Sequence, residues 1–79
     1  MRDAEALKTQ LNLLAADSFD NGVSFTRVDI DGDEVVVDFT FCPDPEDDFV
    51  ADDAVCVPWQ DDETALIISI FGACKAQMS

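Results

Sequence analysis

Residues 23–41 read as a β-hairpin before anything else in the chain is considered. Val23–Ile30 and Glu34–Phe41 are runs of alternating β-formers, and Asp31-Gly32 lies between them. Asp-Gly so flanked is a strong short-range hairpin signal. The pattern leaves two registers open. A two-residue turn sets Val28 and Ile30 on the face shared by Val35, Val37, Phe39 and Phe41. A three-residue turn, with Gly32 left-handed, sets Val23 and Phe25 there and leaves Ser24 and Thr26 outward. The second is preferred because it hides Phe25 and exposes the polar pair.

The flanks supply what packs on the hairpin. Residues 3–18 have the spacing of an amphipathic helix. Asp3 can cap it, Glu5 suits the first turn, and Ala4, Leu7, Leu11, Leu14 and Ser18 follow the helical period. Asn21-Gly22 supplies a stop. Pro43 and Pro45 end the second strand, and Asp44-Pro45-Glu46-Asp47 has the form of a cap opening a short helical turn. Ala54–Val57 adds a third strand, which Pro58 ends or places at an edge. The last segment can be read two ways. Leu66–Phe71 lacks alternation, while Leu66, Ile67, Ile70, Phe71, Cys74 and Met78 share one face of a helix that leaves Ile68 misplaced. Asp61, Asp62 and Glu63 at its start and Lys75 near its end match the helix dipole. The β-branched isoleucines favour a fourth strand instead. Helix is the reading taken. The expected fold is a small two-layer α+β domain spanning 1–79, with the order α-β-β-β-α and both helices on one face of an antiparallel sheet.

Seventy-nine residues are near the lower limit for a single core, and an apolar share of 48% suffices to build one. No apolar run approaches the ~18 residues that span a bilayer. The first residues carry acids where a signal peptide has a basic start, so a cytoplasmic protein that does not engage membranes is expected. Cys42, Cys56 and Cys74 are widely spaced and the chain has no histidine. They read as small buried hydrophobes in a reducing compartment, with no metal or cofactor expected.

Charge carries the functional signal. Eighteen acids against four bases give a net charge of −14. Residues 28–74 hold fourteen acids and no base. They are Asp29, Asp31, Asp33, Glu34, Asp38, Asp44, Glu46, Asp47, Asp48, Asp52, Asp53, Asp61, Asp62 and Glu63, and all are candidate partner-binding residues. The run from Asp29 to Glu34 fails as a calcium loop, since Glu34 and Thr40 occupy the positions that need glycine and glutamate. Without histidine no Ser-His or Cys-His pair forms, and no phosphate-binding loop occurs, so no enzyme is expected. Alternate residues on a strand lie about 6.7 Å apart. That is close to the interval between phosphates along a nucleic-acid strand, so rigidly held carboxylates can fill a groove built for a phosphate backbone.

In size, acidity and a helix followed by an acidic hairpin around Asp29–Asp38, the chain resembles the nucleic-acid-mimic inhibitors of phages, such as small anti-CRISPR and anti-restriction proteins. The likeness lies in physical plan and not in a motif. It implies an inhibitor that occupies the DNA or RNA groove of a defence or nucleic-acid-processing complex, in the host cytoplasm if phage-encoded, without binding nucleic acid itself. Two other readings compete. One is a salt-adapted domain, which suits the excess of Asp over Glu; the other is an adaptor for a basic protein segment.

Overall fold

A computed structural model describes residues 3–19, 22–44 and 46–78. The elements are α1 (Ala4–Ser18), β1 (Ser24–Asp31), β2 (Glu34–Phe41), β3 (Ala51–Pro58) and α2 (Glu63–Met78). The strands form an antiparallel meander with β2 central. Both helices cover one face of it and share a single core, giving the expected α+β domain.

Asp3 caps α1 by accepting the N–H groups of Glu5 and Ala6. The buried row runs Leu7, Leu11, Ala15 and, just past the helix, Phe19. Leu14 is only partly buried, and Ser18, expected on this face, is exposed. The stop also differs from expectation. Phe19 leaves the helix in an extended conformation, its N–H still bonded to the Ala15 carbonyl. That exit lets its ring meet Phe71 edge-on at 5.1 Å. Asn21 lies outside the described residues, and Gly22, at φ 68°, belongs to the link into β1.

Across the hairpin Asp31 faces Glu34, so the loop is Gly32-Asp33. Gly32 has φ 58° and no described non-glycine residue has positive φ, the sign pattern of a type II′ turn. This is the register that turns Val28 and Ile30 inward, and the preferred three-residue turn is corrected. Phe25 is buried nonetheless. The pairing slips between Phe25 and Arg27, leaving Thr26 as the extra residue of a β-bulge. Phe25 then opposes Phe39 while Val28 opposes Val37, and both apolar sets face the core.

β3 is longer than Ala54–Val57. Pairing with the full length of β2 recruits Ala51, Asp52 and Asp53, poor strand formers on their own. The Trp59 N–H continues the ladder to the Asp33 carbonyl at 2.6 Å. By alternation the backbone groups of Asp52, Ala54, Cys56 and Pro58 point to the free edge, where proline has no N–H to leave exposed. Between β2 and β3 a single turn replaces the expected helical one. The Asp44 carbonyl accepts from Asp47 N–H, and its side chain accepts from Glu46 N–H. Pro45 lies outside the described residues.

α2 settles the ambiguous segment as helix. Asp62 caps it through its side chain to Thr64 N–H, and Leu66, Ile67, Ile70 and Cys74 are buried. Phe71 stacks on Phe25 at 5.9 Å. The cysteines do not behave alike: Cys74 is buried as expected, Cys42 is half-buried and Cys56 is exposed. Cys56 lies between Val55 and Val57, which take the inward positions of β3. Among the described residues no helix is long and apolar enough to cross a membrane.

Candidate protein-interaction surface

With both helices on one face, the sheet's other face is uncovered. Strand alternation decides what it shows. Inward go Val28, Val35, Val37, Phe39, Val55 and Val57. Outward go three cross-strand rows: Asp31, Glu34 and Pro58; Asp29, Val36 and Cys56; Arg27, Asp38 and Ala54. Thr40 and Asp52 extend the series toward the far end. Five of the fourteen candidate acids therefore share this face: Asp29, Asp31, Glu34, Asp38 and Asp52.

Arg27 also lies on it. Its Nε sits 2.8 Å from Asp29 Oδ2, with the two side chains 68% and 52% exposed. The pair relieves repulsion within the acidic rows and, being exposed, contributes about 0.2–1 kcal/mol. Cys56 lies 3.6 Å from Glu34 Oε2, to which its thiol donates. Desolvation pushes that thiol's pKa up, and the charge and hydrogen bond of Glu34 push it the same way.

Of the other nine candidates, all but Asp53 collect at the two ends of the molecule, and several have structural work. At the hairpin end, Asp33 anchors Trp59, Asp61 accepts the Trp59 indole N–H at 3.1 Å, and Asp62 caps α2. Glu63 opens that helix. Here a cleft of about 560 Å³ is walled by Leu7, Leu66 and Trp59 and rimmed by Asp3, Asp61 and Glu63. At the opposite end, Asp44 and Asp47 shape the β2–β3 loop, with Asp47 accepting the Phe49 N–H, and Glu46 and Asp48 are exposed. Asp53 is drawn off the face altogether. It accepts from the Ala54 N–H and from the Gln77 amide of α2.

Phe49, 60% exposed, and Val50, 51% exposed, stand in the acidic loop. Trp59 borders the cleft. None of the three belongs to the acidic pattern; the signal for them is an apolar residue isolated among acids and prolines. Among the described residues no three Asp, Glu or Cys side chains converge as a metal-binding set. The chain matches no protein-family model, no curated protein and no solved structure.

Proposed function

We propose that this protein occludes the basic nucleic-acid groove of a partner protein, offering its open sheet face as a surrogate phosphate surface. One observation carries the reading: the helices cover one side of the sheet and leave uncovered the side that bears Asp29, Asp31, Glu34, Asp38 and Asp52. Asp29 and Asp31 stand on alternate positions of β1, about 6.7 Å apart by strand geometry. The shape adds support. The Cα trace extends 41 × 20 × 19 Å. Fourteen net charges along 41 Å amount to one per about 3 Å. Duplex DNA carries one per ≈ 1.7 Å, so a groove built for it meets a body of the same order of charge density.

The salt-adapted reading fits less well. α1 and α2 together hold Glu5, Asp17 and Glu63 against Lys8 and Lys75, a net of −1. Thirteen of the fourteen net charges lie elsewhere, whereas salt adaptation spreads acids over the whole surface. On the proposed reading the protein is an inhibitor of the phage kind and works in the cytoplasm.

The test is capture from the native host with and without competing DNA or RNA. A nucleic-acid-binding protein should be captured, released by its own nucleic acid, and lost when the bait carries Asp29→Lys/Asp31→Lys. Simultaneous occupancy of the partner by nucleic acid and this protein defeats the proposal.

A further inference from the structure

The cleft at the hairpin end stands apart from the open sheet face, and its lining selects by hydrogen bonding as well as by charge. Its floor is apolar, since Leu7 and Leu66 belong to the core. One wall is the ring of Trp59, and that residue is held at two points. Its backbone N–H extends the ladder to the Asp33 carbonyl, and its indole Nε1–H donates to Asp61 Oδ1 at 3.1 Å. Asp3, Asp61 and Glu63 line the cleft and no base does. Trp59 and Gln60, the lining side chains that carry N–H groups, direct them to Asp61 and to Ser69 Oγ, the latter at 2.7 Å. The N-termini of α1 and α2 both open here and would draw an anion if bare. They are already served. The Asp3 side chain accepts from Glu5 and Ala6, its carbonyl accepts from Leu7, and Asp62 accepts from Thr64. The cleft therefore offers an apolar floor, an aromatic wall and acceptors without donors.

We infer that this cleft receives an arginine side chain of a partner protein. The lining asks for a cation that donates hydrogen bonds, accepts none and carries an apolar stem. A guanidinium has five N–H donors and no acceptor, in a planar fork that meets carboxylates two bonds at a time. It is more weakly hydrated than an ammonium and stacks on indole, the aromatic ring that best attracts cations. Its methylene stem suits the floor made by Leu7 and Leu66. A lysine ammonium has fewer donors and must shed a stronger hydration shell to enter. An anion finds the donors taken and carboxylates in place. At about 560 Å³ the cleft falls within the ≈ 300–1,000 Å³ of ordinary ligand sites, which admits one long side chain with some of its water. The site lies at one end of the molecule and does not rest on the mimic reading, which concerns the sheet face. Either can fail without the other.

Trp59 is the one tryptophan in a chain without tyrosine, so its fluorescence reports on this cleft. The test titrates the full chain, at fixed ionic strength, with the N-acetyl amide of arginine, which stands for the residue inside a polypeptide. Emission should change along a saturable curve with half-saturation at roughly 1 mM, the scale for so small a ligand. The Ala6 and Leu66 amide resonances should move in step with it. Asp61→Asn/Glu63→Gln should weaken binding roughly tenfold. Asparagine keeps an oxygen for the Trp59 N–H, and circular dichroism checks the fold. Glu46→Gln/Asp48→Asn removes the same charge at the opposite end and should leave binding unchanged. The N-acetyl amide of lysine should bind roughly threefold more weakly or worse. So should free arginine, which adds a carboxylate beside the acidic rim. Absence of a saturable change in both signals overturns the inference, and equal losses in the two double variants reduce it to net charge. Equal binding of the lysine compound makes the cleft a general cation site, and tighter binding of free arginine makes the occupant a small molecule. Either result overturns the inference as well.

Discussion

Cys74 is fully buried, and burial, reinforced by the charge of Asp53, pushes its thiol up to about 12 from the ordinary 9.0. The unfolded chain gives up that proton near the ordinary value and the folded chain does not. This raised pKa leaves stability intact below about pH 9 and lowers it as pH climbs from there toward about 12, by up to about 1.4 kcal/mol per pH unit. Cys74→Val should flatten the decline, and urea unfolding of both proteins at about pH 8 and about pH 10 measures it. Parallel losses would place the effect elsewhere. Cys56 is exposed yet its thiolate is disfavoured, with Glu34 contributing. Glu34→Gln should therefore speed its reaction with a thiol reagent, followed in a Cys42→Ser background. Arg27→Ala removes an exposed pair and should lower stability by less than about 1 kcal/mol. It also strips positive charge from the open face, so binding to a basic partner should hold or tighten; clear weakening with normal stability would instead put Arg27 in the contact.

At the scale of elements, the bulge and its neighbour Asn12 explain how β1 is finished. The Asn12 side chain, reaching from α1, accepts the Phe25 N–H at 2.8 Å and donates to the Phe25 carbonyl at 3.1 Å. A single amide thus does what a further strand would do, closing part of a free edge. Asn12→Ala leaves both backbone groups without that partner and should destabilise by about 1–3 kcal/mol. Chemical denaturation measures this, and Asn12→Asp should not rescue, since a carboxylate cannot donate to the carbonyl. Helix and hairpin positions were legible in the residues because Leu7, Leu11, Val35, Val37 and Phe39 keep strict periods. The register was not, since a bulge interrupts the period it is read from: Phe25 and Val28 cannot both face inward on a regular strand. Asp52 and Asp53 joined β3 through pairing with β2, which no local preference signals. The acidic candidates were legible as a set, but not their division into five on the open face, eight at the ends and Asp53 turned toward α2, because that depends on strand register, on the turn made by Asp44 and on the cap made by Asp62.

Over the whole molecule the charge is unevenly placed, on the open sheet face and at the two ends with the helices nearly neutral, and that separates specific from general electrostatics. Asp29→Lys/Asp31→Lys and Glu5→Lys/Asp17→Lys change the net charge equally. Only the first pair should abolish partner binding, and affinity should fall steeply with salt. Equal effects, read by calorimetry with the identified partner, would reduce the interaction to net charge alone. The protein itself should show no micromolar affinity for duplex DNA at physiological salt, as four bases against eighteen acids leave no basic patch among the described residues to release counterions. Unequal charge on opposite sides has a kinetic consequence too. In the field of a basic groove such a body feels a torque as well as a pull, and the torque acts from farther off than any contact. On the proposed reading it would turn sheet-first while still separated from its target by water, so that a large share of collisions would begin already aligned.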